Sequence, residues 1–377
     1  MKTYEIPYGD GALNVAIGSK NLKAVLAPDT KEGTSPTSEE QIVRRALETP
    51  IGQRRLCELA RGKKRVTVIT SDHTRPVPSR LTLPILLNEI RSGNPDAEIT
   101  ILIATGLHRS PTQAEMRRMF GEAVVSRERI AVNDATRAED FVSMGKLPSG
   151  ADFLVNRLAA DCDLLVSEGF IEPHFFAGYS GGRKSVLPGV ASRATVMYNH
   201  NAQFIDSPYS RTGVLENNPI HADMVYAAKA AGLKFILNVV LDDDKRIVAV
   251  RAGEPTAALR ELVGIARGMF EVPISHQYDV AIGGVGFPKD SNLYQASRGA
   301  SYLFFAPTPV VRTGGYLVIP ARAEEGAGEG VGEQRFYEAM RDAPSMQAIL
   351  DDARAHGYKP GAQRAFVMAK VLEGAKV

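Results

Sequence analysis

The sequence predicts an α/β fold of two domains with mostly parallel sheets, and three observations carry that expectation. Short apolar or β-branched runs, RVTVIT (65–70), EITILIA (98–104) and DLLVS (163–167), alternate with helical segments. That is the pattern of parallel strands joined by crossover helices. At 377 residues the chain exceeds what one hydrophobic core usually supports. A fresh α/β pattern opens at Tyr278, after a helix expected to end near Met269. The expected division is a first domain over 1–270, a second over 271–360, and a closing helix over 361–377 that packs back on the first.

Residues 1–25 read as short strands around glycine turns. The segment from Thr34 reads as helical from Ser38 to Ala60, with Ser-Glu-Glu at its start. RVTVIT is a buried strand that empties into Ser71–Pro78, and a helix follows over 79–91. EITILIA ends in Thr105-Gly-Leu-His108-Arg-Ser-Pro-Thr. Ser110 as cap, Pro111 at the first helical position and Gln113 closing a capping box predict a helix right after His108. DLLVS delivers the stretch Glu172–His200, EPHFFAGYSGGRKSVLPGVASRATVMYNH, whose Gly and Pro predict no regular structure before Ser192. Asn218-Pro219 begins a helix ending near Gly232, 235–241 and 246–251 form a hairpin, and a helix runs over 255–269. Beyond Tyr278–Gly283 the expectation is a helix from about Ser291, a strand over 315–320, and helices through most of 333–376. The Gly/Glu-rich run 323–332 reads as a mobile loop.

Bulk properties narrow the partners. Charged residues are 23% and the net charge is +2, so no basic surplus points to nucleic acid or an anionic membrane. No run approaches the roughly 20 apolar residues of a membrane helix. The N-terminus, MKTYEIPYGDGALNVAIG, carries acids, Pro and Gly where a signal peptide needs an apolar run, so none is expected there. Two cysteines make neither a disulfide framework nor a CxxC site, and a reducing cytoplasm is expected.

The chemistry gathers where parallel sheets place it, outside the carboxyl ends of the strands. Asp72, Arg75, His108 and His174 all fall in loops leaving such ends. The 172–200 stretch is too aromatic and apolar to be disordered, and a long ordered loop of this kind reads as a site. Gly178-Tyr-Ser180-Gly181-Gly182-Arg-Lys184-Ser nearly spells a P-loop, but Arg183 stands where its second glycine belongs and no strand precedes it. An amine flanked by glycine and a hydroxyl suits a covalent adduct instead. His108, His174 and His200 read as one shared site, while His73, His221, His276 and His356 read as structural or surface residues. Arg75 either pairs with Asp72 to hold the loop or offers a planar fork to a carboxylate or developing alkoxide. Gln295 and Arg298, three apart at a helix start, face one way and suit a small anion.

These motifs resemble a known family. SDHTRPVP, ATGLHRSPT, EPHFFAGYSGGRKSVLPG, the YNH ending in His200, and GGVGFPKDSNLYQASRG match, in order and spacing over about 5–320, the nickel-pincer lactate racemases and related 2-hydroxy-acid racemases and epimerases. The resemblance implies two α/β domains with the active site in the interdomain cleft. It implies a nickel pincer nucleotide (pyridinium-3,5-bisthiocarboxylic acid mononucleotide) held through a thioamide to Lys184, with His200 as nickel's protein ligand. Asp72, Ser180, Gly181 and Gly182 fall at cofactor-binding positions, His108 and His174 match the two acid/base catalysts, and Arg75 the arginine beside the substrate. Tyr294, Gln295 and Arg298 match substrate contacts, with Arg298 standing where the lactate enzymes carry lysine. No tryptophan is present to match the one lining their pocket. The expected partners are a small 2-hydroxy acid, possessing more length or polarity than lactate, and the proteins that make and deliver the cofactor. Two other readings remain open: a zinc-type hydrolase built on the three histidines, and a non-catalytic cofactor-binding member.

Overall fold

The computed structural model describes residues 2–28, 37–359 and 361–377. In chain order its strands are β1 (Lys2–Tyr8), β2 (Gly11–Ile17), β3 (Arg65–Ser71), β4 (Glu98–Ala104), β5 (Arg129–Val132), β6 (Phe141–Lys146) and β7 (Asp152–Asn156). Then come β8 (Leu164–Phe170), β9 (Pro173–His174), β10 (Gly178–Tyr179), β11 (Leu233–Leu241), β12 (Ile247–Gly253), β13 (Tyr278–Ile282) and β14 (Val311–Val318). A central sheet runs in the order β12-β11-β8-β3-β4-β5. The five strands from β11 to β5 are parallel, and β12 closes the edge antiparallel to β11. The fold is α/β with a mainly parallel sheet, as the β-branched runs predict.

Alternation along each strand divides the core between the two faces of the sheet. Val66, Val68, Leu164 and Val166 pack with Leu83, Leu86 and Ile90 of the helix Ser79–Gly93. Ile69, Leu102 and Leu165 face the other way, with Leu259 and Leu262 of the helix Pro255–Phe270. That second cluster continues through Phe175 and Val186 into Ala300, Phe305, Phe336, Leu350 and Phe366.

Several expectations change in detail. The helix from Ser38 carries the predicted cap and a capping box with Gln41, but ends at Glu48. Thr49-Pro50 interrupts it, since proline disfavours helix at the preceding residue and removes a donor. A separate short helix, Leu56–Ala60, follows. The part of that expectation at 34–36 lies outside the described residues. After His108 the cap is Thr112 rather than Ser110, with Glu115 rather than Gln113 completing the box, and the helix is Gln113–Phe120. Glu115 decides this, because it accepts from the Thr112 N–H and also pairs with Arg109 at 2.6 Å. The run 323–332 is tied down where it begins: Ala323 and Glu325 donate to the carbonyls of Asp290 and Ser291.

The ends of the chain attach to the segment after 283. The hairpin β1–β2 is joined to it where the Gly9 N–H meets Asp290 Oδ2 at 2.6 Å and the Gly9 carbonyl accepts from Phe287 N–H at 2.9 Å. The last helix, Gln363–Gly374, packs on Leu293–Phe304 and β14, and reaches Ala202–Asp206 through Lys370 and Asp206. Among the described residues no helix is long and apolar enough to cross a membrane.

Candidate active site

β3 and β4 lie side by side in register, so the loops leaving them emerge together. Asp72, 2% exposed, accepts from the Thr74 N–H and hydroxyl through Oδ1, at 2.8 and 2.5 Å. Its Oδ2 lies 2.7 Å from His108 Nδ1. Burial alone would raise the Asp72 carboxyl, but the hydrogen bond and charge of His108, helped by Thr74 and Arg75, hold it below its ordinary value. Anchored through Nδ1, His108 keeps Nε2 for other chemistry. The Asp72–Arg75 ion pair does not form. Asp72 is taken up by His108 and Thr74, and Arg75 donates to the Thr74 carbonyl and hydroxyl at 3.3 and 3.0 Å.

Both ends of this loop are tied by a residue that the sequence reading missed. Glu168 of β8 is 2% exposed and accepts from Thr70 and Thr82, each at 2.6 Å, one on each side of Ser71–Pro78. No local pattern marks such a carboxylate. It reads as an ordinary polar residue until the sheet is assembled.

The stretch 172–200 holds more regular structure than its glycines predict. β9 and β10 form a small antiparallel ladder, a 3-10 turn covers Gly182–Ser185, and Ser192 caps the helix Arg193–Asn199. Gly181 has φ +73°, and a Cβ there would press on Ile171 Cδ1, Asn238 Oδ1 and the Phe170 carbonyl. Only glycine fits so close an approach. The Gly182 N–H bonds Asn238 Oδ1 at 2.7 Å. The Ser180 hydroxyl is engaged by the loop itself, accepting from Glu172 N–H and donating to the Phe170 carbonyl. Arg183, also missed, is 2% exposed and braces the turn through the carbonyls of Ala177, Ser180 and Gly181 and through His221 Nδ1.

This scaffold presents Lys184, His174 and His200. Burial, then the charges of Arg183 and Arg75, hold the Lys184 amine well below its usual value. His174 accepts from Ala177 N–H through Nδ1 at 3.3 Å and stacks on Phe175, with ring centres 5.0 Å apart. Burial, then the charges of Lys184, His200, Arg75 and Arg298, keep it neutral. His200 follows the last turn of its helix, with Phe176 edge-on at 5.1 Å and a buried Nδ1 that has no partner among the described residues. Burial and the Lys184 charge lower it to about 3.

The helix Leu293–Phe304, capped by Asn292, meets this region where Tyr302 packs edge-on against Phe175 and Arg298 acts on the charge of His174. Arg298 lies over the Tyr294 ring at 5.8 Å and makes no ion pair among the described residues. Gln295 sits one turn before it, and its N–H bonds the Asn292 cap. Tyr302, missed in the sequence, extends the same face by one turn beyond Arg298, a spacing that was there to be read. Burial and the charge of Glu172 push its hydroxyl up to about 12, with Arg298 and Arg75 opposing. His174 therefore feels the charges of Lys184, His200, Arg75 and Arg298, Lys184 feels that of Arg75 and His200 that of Lys184, while Asp72 and His108 form a hydrogen-bonded pair beside Arg75. Among the described residues no group of three His, Cys, Asp or Glu is placed to hold a metal ion. The three-histidine zinc reading is therefore not favoured.

Comparison with known proteins finds relatives over the whole chain. A family model described as the lactate racemase N-terminal domain matches residues 8–213. A lactate racemase from Thermoanaerobacterium thermosaccharolyticum is 45% identical over 378 aligned residues, covering 100% of this chain and 87% of the relative. One from Lactiplantibacillus plantarum is 44% identical, over 94% of this chain and 81% of the relative. The solved lactate racemase apoprotein from Thermoanaerobacterium thermosaccharolyticum superposes with a TM-score of 0.92 at 43% identity, covering 100% of this chain and 87% of that one. A Thermotoga maritima structure, 19% identical with a TM-score of 0.66, shares the fold over 92% of this chain and 84% of its own. Fold and relatives together define an enzyme of the racemase class. Its identity over the full length fixes the rest: the chain belongs to the lactate racemase family.

Proposed function

We propose that the protein interconverts the stereoisomers of a 2-hydroxy acid by moving hydride from C2 and back, through a 2-keto acid. The observation that carries this reading is a pair of differently held imidazoles that share Arg75 as a neighbour: His108 fixed by Asp72 at 2.7 Å, with Arg75 acting on Asp72, and His174 kept neutral by burial and by Lys184, His200, Arg75 and Arg298. The α-hydrogen of a hydroxy carboxylate is a very weak acid, and its loss as a proton would leave a dianion. Loss as hydride avoids that charge.

The residues fit the nickel pincer nucleotide that the family resemblance implies. Burial holds the Lys184 amine well below its usual value, which favours the uncharged form that a thioamide link needs, and His200 offers one buried imidazole whose Nδ1 has no partner among the described residues. A single such donor suits a metal whose other ligands come with the cofactor. When bound, the group supplies an electron-poor centre able to accept hydride. The remaining work belongs to this chain. His108 removes the hydroxyl proton from one stereoisomer and His174 from the other, and each returns it in the reverse direction. Arg75 polarises the oxygen that becomes the carbonyl. Arg298 and Gln295 hold the carboxylate, with Arg298 capable of a two-point contact.

The bidentate fork of Arg298 supports a substrate with more length or polarity than lactate, such as a hydroxy diacid or sugar acid. The same reading makes the protein cytoplasmic and dependent on proteins that build and deliver its cofactor. The test is intact-mass and nickel analysis of protein made with that pathway present, alongside a 2-hydroxy-acid panel. The expected result is a mass increment on Lys184, one nickel, and exchange of configuration with a C2 deuterium retained. Nickel-free protein that exchanges configuration with loss of the deuterium would overturn the proposal. A strong preference for lactate would overturn the larger-substrate reading alone.

A further inference from the structure

Arg364 lies at the start of the last helix, outside every motif that drew attention in the sequence. It is 4% exposed, and no carboxylate pairs with it among the described residues. Its Nε and Nη2 donate to Ser297 and Ser301, each at 2.9 Å, and Nη1 is buried without a partner among the described residues. The two serines sit one turn apart on Leu293–Phe304, on either side of Arg298, and each also donates to a carbonyl of its own helix. On its other side the guanidinium lies 5.6 Å from the centre of Phe175, the ring stacked on His174. Burial, then the charge of Arg298, lowers it to about 9, which still leaves it cationic at neutral pH.

A buried cation without an acid is costly, by several kcal/mol in general, and an apolar side chain of similar length would avoid that cost. Stability alone gives no reason for arginine here. Its geometry does: a rigid fork can grip two hydroxyls of one helix while its flat face rests on an aromatic ring, and neither lysine nor methionine can do both.

We propose that Arg364 is a positioning residue for substrate binding, fixing the rotation of Leu293–Phe304 against the Phe175–His174 stack so that Arg298 and Gln295 meet the substrate carboxylate. This rests on the reading of Arg298 as a substrate contact. The experiment compares Arg364→Met, Arg364→Lys and Arg298→Ala, using cofactor-loaded enzyme with lactate and with malate, and melting and hydrogen exchange on the cofactor-free chain.

For Arg364→Met the expected result is KM raised about tenfold or more with kcat within about threefold, the sign of lost uniform binding. Amide exchange across 293–304 quickens, while the melting temperature holds or rises. Arg364→Lys falls between wild type and Met. KM within about twofold of wild type in both Arg364 variants, while Arg298→Ala raises it, overturns the inference and leaves the substrate contact standing. A drop in melting temperature with KM unchanged also overturns it. An unchanged KM in Arg298→Ala overturns the substrate contact instead, and the inference with it. Should Arg364→Met fail to fold, Arg364→Lys decides: KM raised about threefold supports the inference, and an unchanged KM overturns it.

Discussion

Asp72 shows how much one side chain can do in this site. It is buried, accepts from Thr74, and holds His108 by Nδ1, so it sets both the tautomer and the direction of the imidazole. Its carboxyl is depressed in the fold relative to the unfolded chain. The stability it contributes is therefore present above the ordinary carboxylate range and lost as pH falls through the lower folded value. Asp72→Asn keeps the shape but removes the charge and the tautomer control. We expect kcat per loaded site to fall by about 10²–10⁴-fold with the fold retained, the extent of Lys184 loading being read separately. Steady-state kinetics and intact mass check this, and a change of less than about threefold would remove Asp72 from the mechanism. The motif residues around Asp72 were legible because strand ends in a parallel sheet predict where chemistry collects. Arg183, Glu168 and Arg364 were not. A buried arginine and a surface arginine look alike in a sequence, and what separates them is the packing of segments far apart in the chain.

At the scale of elements, the strands were legible because β-branched runs leave little choice of conformation. Helix starts were less so. Ser110 and Thr112 both offer a cap, and the choice falls to Glu115, which also answers Arg109. The 172–200 stretch misled in the other direction. Its glycines are compatible with an irregular loop, yet they serve a tight ladder and turn whose N–H donors are answered by Asn238 and Ser180 and whose carbonyls are answered by Arg183. Gly181→Ala tests that account. With φ at +73° and backbone and Asn238 atoms 2.7–2.8 Å from the new Cβ, the turn must open. The expected cost is about 1–3 kcal/mol by denaturant unfolding, together with slower labelling of Lys184. A variant as stable as wild type, modified at the same rate, would show that the turn tolerates a side chain.

For the whole molecule, the apolar cluster that begins on one face of the central sheet does not stop at residue 270. It runs through Phe175 and Phe305 to Phe366, which is fully buried in the last helix. Arg354 and Lys370 of the final helices both bind Asp206, adding polar ties to the same region. Phe366→Ala should therefore destabilise the chain as a unit, by about 3–5 kcal/mol, with one transition in calorimetry. Two separated transitions, only one of them moved, would show that the final helices unfold independently.

The attachment of Gly9 to Asp290 and Phe287 also bears on how the protein is made. The hairpin β1–β2 is synthesised some 270 residues before the surface that receives it. At about 5–20 residues per second it waits roughly 15–55 s on the ribosome with one side exposed. During that interval a neighbouring nascent chain offers the same receptor surface, so exchange of this hairpin between two copies is the misassembly to which translation most exposes the protein.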